Sequence, residues 1–281
     1  MRLGAHMSIS GGKEKALSRG NKIGCEAIQI FTGNVRSWAS KPLDADEIED
    51  FKKNRDEFDI WPIMSHNSYL VNLANTDKEK LEKSYHSMIE ELNKAKQLGI
   101  EYVNMHPGNK NEGEEDEAAL LRIAEQLNSL LADTKDSSVI IVLETTAGQG
   151  NDVGHKFEHM KMIIDKVKNK ERIGVCFDTQ HSFAAGYDFR TKEKYENVWD
   201  TFDDIVGLEY LYAIHFNDSK SELGSRVDRH THIGAGNIGK HPFEFFVNDE
   251  RFEGAPGILE TPNGMEDFER NLKILKSLRH K

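Results

Sequence analysis

The chain has 281 residues, 37% hydrophobic and 30% charged, with a formal net charge of −11. That length suits one barrel better than two small domains, and the apolar fraction supplies a core under a charged surface. No apolar run approaches the roughly 18 residues of a membrane span, and MRLGAHMSIS has no basic or apolar part of a secretory signal, so a cytoplasmic protein with no membrane partner is expected.

Strands and helices alternate along the chain. Leu3–His6 reads as a strand, Gly11–Ile23 as a helix, Ala27–Phe31 as a strand and Asp44–Glu57 as a helix. Trp61–His66 precedes a helix from Asp77 to Leu98. Its Leu81, Tyr85, Met88, Leu92, Ala95 and Leu98 recur every three or four residues, as one buried face requires. Thr76 and Glu79 read as its capping box and Gly99 as its terminating glycine. Next come the strand Tyr102–His106, the acidic stretch NEGEEDE (111–117) and a helix over Glu115–Leu131. NEGEEDE reads as a solvated loop or helix start. Val139–Glu144, VIIVLE, is almost purely apolar, like a strand buried on both faces. After it come helix His155–Val167, strand Ile173–Asp178, helix Lys192–Ile205, strands Tyr212–Phe216 and Gly257–Glu260, and helix Asp267–Leu278. This order predicts an α/β fold, a (β/α)8 TIM barrel forming a single domain over 1–281, with an open doubly wound sheet as the rival. Cys25 and Cys176 lie in apolar stretches and read as reduced core thiols.

The strand ends repeat one theme. His6, His66, His106, Glu144, Asp178, His215 and Glu260 each close a strand. In a parallel barrel these ends share one face, where that fold carries its chemistry. Carboxylates crowded there repel unless neutralised. Neutral imidazoles with carboxylates form an N and O ligand set for zinc or a related divalent ion. Two more pairs fit: His181 follows Asp178 by three residues, and Asp228 with His230 sits in the polar stretch RVDRHTHIGAGNIG. A loop that wraps a metal accounts for that second pair. His86, His155, His159, His232, His241 and His280 lack such context and read as structural or exposed.

GAGNIG (234–239) matches a dinucleotide fingerprint by letter, but RVDRHTHI before it is too polar for the buried strand such a site needs. The glycines read as tight turns beside the metal loop.

The chain resembles the endonuclease IV family of zinc-dependent apurinic/apyrimidinic endonucleases nearly end to end. The likeness is carried by GAHMSISGG, FTGNVRSW, HNSYLVNLA, MHPG, LETTAGQG, FDTQHSFAAGYD, HFNDSK, GSRVDRH with IGAGNIG, and LETP. The resemblance implies a barrel with three zinc ions, with manganese or another divalent ion admissible at one site. It implies one ion on His66, His106 and Glu144. Glu144 bridges to a second ion, completed by Asp178, His215 and Glu260, and His181, Asp228 and His230 hold the third. The implied substrate is duplex DNA with an abasic site, cut 5′ to the lesion to leave a 3′-hydroxyl, with trimming of blocked 3′ ends. Glu144, Asp178 and Glu260 are the implied catalytic carboxylates, Glu144 as a bridge and the others as candidates for orienting water. Arg36 and the pair Tyr69–Leu70 are implied to enter the duplex at the damage, with His6 near the phosphate. Three zinc ions would bring the net charge from −11 to −5, all inside the barrel mouth. Gln180 and Ala235 depart from the family pattern at positions that are not ligands.

A one-metal sugar isomerase or epimerase of the same barrel type remains open, since Glu144, Asp178, His215 and Glu260 alone would satisfy it. The five further ligands are what it does not need. A protein that binds damaged DNA without cutting it is the other alternative. A monomer is expected.

Overall fold

The computed structural model describes residues 1–39 and 41–280. Eight parallel strands close into a barrel: β1 (Arg2–His6), β2 (Ala27–Ile30), β3 (Ile63–His66), β4 (Tyr102–Met105), β5 (Ile140–Glu144), β6 (Ile173–Asp178), β7 (Leu211–Phe216) and β8 (Pro256–Leu259). Each pairs with its sequence neighbours, and β8 pairs with β1 to close the ring. The expected TIM barrel is therefore observed, and the open sheet is ruled out. Helices α1 (Glu14–Ile23), α2 (Ala45–Phe58), α3 (Lys78–Leu98), α4 (Asp116–Asp133), α5 (Phe157–Lys166), α6 (Thr179–Ala185), α7 (Lys192–Ile205) and α8 (Pro242–Val247) lie between the strands, and α9 (Met265–Ser277) follows β8.

Local chemistry explains the boundaries that differ from expectation. Helix α1 starts three residues late, because Gly11 and Gly12 hold positive φ values of 82° and 134°. Strand β3 starts after Pro62, whose ring nitrogen has no N–H to donate. The cap of α3 is Asp77, which accepts from Lys80 N at 3.1 Å, and not the Thr76–Glu79 box. Gly99 ends α3 in the left-handed conformation, as expected. Helices α6 and α8 were not anticipated. Both are short, and α6 continues directly from the end of β6.

The main core lies between sheet and helices. A second, smaller cluster fills the barrel: Ala27, Met64, Val142, Cys176, Ala213 and Ile258. Each stands two positions before a polar residue: Gln29, His66, Glu144, Asp178, His215 and Glu260. Strand side chains alternate with period two, so an apolar plug in the barrel places a polar layer directly above it. Both cysteines are free and buried. Among the described residues, no helix is long and apolar enough to cross a membrane.

Candidate metal centre

The polar layer gathers donors that ordinary packing would separate. His66 Nε2 and His106 Nε2 stand 3.4 and 3.5 Å from Glu144 Oε2. His215 Nδ1 lies 3.2 Å from Glu144 Oε1, 3.1 Å from Glu260 Oε2 and 3.8 Å from Asp178 Oδ2. His181 Nε2 and His230 Nε2 are 3.3 Å apart, with Asp228 oxygens 3.4 and 3.3 Å away. A tetrahedral ion with N and O ligands at roughly 2.0–2.2 Å spaces neighbouring donors by about 3.3–3.6 Å. The observed separations run from 3.1 to 3.8 Å and bracket that spacing. Asp178 is also within reach of His181 and His230, so its carboxylate lies between two of the groups.

The rings are aimed by their far nitrogens. His66 Nδ1 donates to Asn67 O at 2.7 Å, His181 Nδ1 to Thr145 O at 2.9 Å and His230 Nδ1 to Glu260 O at 3.3 Å. Each contact directs Nε2 and its lone pair into the site. His215 is turned round: its Nε2 donates to Gln29 Oε1 at 2.9 Å, leaving Nδ1 inward. That Nδ1 and Glu144 Oε1 are buried without a hydrogen-bond partner. Two facing orphans of complementary chemistry, on two fully buried side chains, fit a shared cation.

The electrostatics agree. Burial pushes the Glu144 and Glu260 carboxyls up, but the facing imidazoles, His215 foremost, hold both well below the usual carboxylate range. Burial lowers His181 and His215, yet Asp178, Asp228 and Glu144 raise the first, and Cys176, Glu260 and Glu144 raise the second, to well above normal. Asp228 drops to about 2, where His181 and His230 outweigh its burial. The field that draws protons onto these rings also draws a divalent ion, whose binding releases those protons.

Helix α6 is built into the site. Asp178 Oδ1 accepts the His181 N–H at 2.7 Å, so one carboxylate both caps the helix and faces the cluster. Its other oxygen accepts from Asn217 Nδ2 at 2.7 Å.

Several buried residues around the candidate ligands were not singled out from sequence. Gln29 donates to Glu260 Oε1 at 2.5 Å and contacts His6 Nδ1 at 3.0 Å, besides accepting from His215. Asn104 donates to Glu144 Oε2 at 2.5 Å. The available signal was a polar letter inside an apolar strand, AIQIF and YVNMH. His6 reaches Glu260 Oε1 at 3.3 Å, burial lowers its pKa, and its Nε2 has no hydrogen-bond partner.

Above this layer sits an exposed rim. Tyr69 is 69% exposed and Leu70 38%. The Tyr69 ring packs 5.7 Å from His66 and 5.8 Å from Phe31, which places it over the cluster. Arg36 is exposed on the neighbouring loop, which Ser68 ties down through Val35 O at 2.8 Å.

His155 and His159 acquire a context that sequence reasoning missed, although their spacing of four residues hinted at it. With Asp116 they form a further cluster of metal-ligand type. Its donors are already engaged. His159 Nδ1 accepts the Gly154 N–H at 3.1 Å, which leaves its proton on Nε2, 3.3 Å from Asp116 Oδ2. Asp116 also receives Lys110 Nζ at 2.6 Å. Burial and His155 lower the His159 pKa to about 4, so this ring is neutral and hydrogen-bonded. The triad is a structural hydrogen-bond network.

This fold and site place the chain in a class of parallel barrels with ligand-rich mouths. Residues 17–278 match the family model described as a xylose isomerase-like TIM barrel. A protein of Chloroflexus aggregans described as a probable endonuclease 4 is 45% identical over 279 residues, covering 99% of this chain and 97% of the relative. An apurinic-apyrimidinic endonuclease of Caenorhabditis elegans is 46% identical over 264 residues, covering 93% of this chain and 66% of that protein. The crystal structure of endonuclease IV from Thermus thermophilus superposes with a TM-score of 0.87 at 36% identity, covering 99% of this chain and 98% of that one. The chain belongs to the endonuclease IV family, as its motifs indicated.

Proposed function

We propose that this chain is a DNA-repair endonuclease that hydrolyses the phosphodiester 5′ to an abasic site in duplex DNA. It leaves a 3′-hydroxyl and a 5′-deoxyribose phosphate, and it also removes 3′ blocking groups. It works as a monomer in the cytoplasm. Three zinc ions serve it, with manganese or another divalent ion admissible at one site: one on His66, His106 and Glu144, a second on Glu144, Asp178, His215 and Glu260, a third on His181, Asp228 and His230. The observation that carries this reading is the facing pair of buried orphans, His215 Nδ1 and Glu144 Oε1, inside a ring of donors spaced for a shared cation.

A phosphodiester is a poor electrophile whose transition state gathers charge on its oxygens. Divalent ions held by these residues would lower the pKa of a water and neutralise that charge. The protein's part is placement. Glu144 offers one oxygen to each neighbouring group, so its side chain sets their separation. Gln29 orients His215 and Glu260, and Asn217 orients Asp178. In this reading Asp178 and Glu260 orient the attacking water, and His6, whose buried Nε2 has no hydrogen-bond partner, lies near the phosphate. Tyr69 and Leu70 form a wedge over the site, and Arg36 supplies positive charge beside it. A nucleotide without a base costs least to unstack, so such a wedge favours damaged duplex.

The test is a nicking assay on a duplex with one tetrahydrofuran abasic analogue, which cannot undergo β-elimination. A single cut 5′ to the lesion, leaving an extendable 3′-hydroxyl and lost on chelation, is expected. No cut by metal-loaded protein would overturn the reading and direct attention to sugar substrates. A duplex held but uncut would indicate a binding role.

A further inference from the structure

The glycine stretch 234–239 is explained by an anion that the chain supplies itself. Asp218 follows β7 and is fully buried. Its Oδ2 accepts backbone N–H groups from Gly234 at 2.9 Å and Gly236 at 3.0 Å. Its Oδ1 accepts those of Ser219 at 2.7 Å, Ile238 at 3.0 Å and Gly239 at 3.4 Å. Successive N–H groups converging on one point form a nest for negative charge. Here the occupant is a carboxylate, where the letter pattern would suggest a dinucleotide phosphate. Gly236 has no room for a side chain, because a Cβ would overlap Ser219 O and Asp218 Oδ1. Ala235 is exposed, so its methyl group costs the nest nothing.

The chain leaves Asp218, runs out through Asp228 and His230, and returns to the same carboxylate at Gly234. The outward and return strands are short: Asp218 pairs with Thr231 and Ser219 with His230. Lys220 N donates to Arg229 O at 2.9 Å, and Asn237 N to Ser219 O at 2.7 Å. Gln180, beside His181, donates to Val227 O at 3.1 Å and to Ser219 Oγ at 3.3 Å. The excursion has little secondary structure of its own, so its order depends on closure at its base.

We propose that Asp218 is the positioning residue for the loop bearing Asp228 and His230, and that the nest pre-assembles the third metal site. The proposal rests on the reading above that His181, Asp228 and His230 hold an ion. The hydrogen bonds of the Asp218 carboxylate all go to backbone N–H groups. The residue acts by holding the backbone that presents Asp228 and His230, and outer supports of this kind govern metal affinity by roughly 10–100-fold.

The test is zinc titration of metal-free full-length protein, with bound metal counted by mass spectrometry, for wild type, Asp218→Asn and Gly236→Ala. Asp218→Asn keeps the size but turns an amide NH2 toward N–H donors. Gly236→Ala damages the same nest by crowding, so the two variants do not share one chemical artefact. The exposed Ala235→Ser is the control. Both nest variants should lose the third equivalent, its affinity weakened about 10–100-fold, while keeping the other two. Three equivalents with unchanged affinity in both variants would overturn the proposal. Equal weakening of all three would overturn it as well, by making Asp218 a general stabiliser. A wild type holding fewer than three ions would defeat the three-metal reading instead. Hydrogen exchange in the metal-free proteins then decides the anchor separately. Faster exchange confined to residues 220–239 in the nest variants supports it, and unchanged exchange sinks it. The same exchange measurement serves if a variant is too unstable to load.

Discussion

The two ends of the barrel both hold partly or fully buried carboxylates, and they treat them in opposite ways. At the N-terminal end, Glu26 is fully matched. Arg279 grips it bidentately at 2.8 and 2.7 Å, Leu3 N donates at 2.9 Å, and Lys276 lies 3.4 Å away. At the C-terminal end, Glu144 and Glu260 face imidazoles and two amides, those of Asn104 and Gln29, with Glu144 Oε1 unpartnered. A guanidinium closes a carboxylate permanently. Imidazoles leave it open to any cation that displaces their protons. The comparison teaches how to separate stability from chemistry in such a barrel: the matched charge staples the chain around the end of α9 to β1 and to the start of β2, and the mismatched charges form the candidate metal centre.

The largest effect should come from the mismatched end. Glu144→Ala removes the oxygens shared by two donor groups. It should cost two metal ions, read by elemental analysis, and cleavage should fall by on the order of 10³-fold or more. Full metal content with full cleavage would sink the bridging role. Gln29→Leu comes next. The barrel should still close, but His215 loses the acceptor that fixes its tautomer and Glu260 loses a donor. Metal affinity should fall roughly 10–100-fold in a chelator competition, with melting little changed. Unchanged affinity would show that packing alone sets the His215 ring.

How much of this was legible in sequence follows from periodicity. All eight strands and the residues at their ends were readable, because apolar runs with polar termini recur along the chain. The candidate ligands at 66, 106, 144, 178, 215 and 260 stood out because a carboxylate or imidazole ending a buried strand is expensive. Gln29 and Asn104 did not, since one amide in a strand carries no charge to explain. They become conspicuous only when period two is counted back from the strand end, level with His6 and His66. Asp218 was hidden differently. Its five N–H donors lie mostly 16 to 21 residues downstream, and no local pattern announces such a closure. The N-cap of α3 failed for a small reason: Thr76 and Asp77 are adjacent, both are good caps, and only the geometry of the turn chooses.

The exposed aromatics sharpen the contrast. Trp61, before β3, is 47% exposed at the N-terminal end, under the Arg2 guanidinium 6.0 Å away. Tyr69 is exposed at the other end, over His66. Tyr69→Ala should reduce preference for abasic over intact duplex by roughly tenfold, the scale of one lost base-stacking contact, while all bound metal is kept. Trp61→Ala should leave that preference unchanged. Competition binding with both duplexes checks the pair, and equal effects of the two substitutions would refute the wedge.

The smallest effect belongs to the staple. Glu26→Gln keeps the shape but removes the charge that Arg279 and Lys276 meet, at a site that is partly solvated. The cost should be about 1 kcal/mol near neutral pH, or a melting shift of roughly 2–4 °C, with metal content unaltered. Its pH dependence has a definite sign. Burial raises the Glu26 carboxyl, but Arg279 and the Leu3 N–H more than offset this and bring it from 4.5 to about 2. A depressed folded value stabilises the protein above the unfolded value, and that contribution fades as pH falls between about 4.5 and 2. Acid also protonates the metal cluster, so wild-type stability alone mixes the two ends. The difference between wild type and Glu26→Gln isolates the staple, because both proteins carry the same cluster. That difference should be constant from pH 7 down to about 5 and shrink toward zero near pH 2. A difference that instead followed metal loss would mean the two ends are coupled through the barrel, and that Glu26 supports the site as well as the fold.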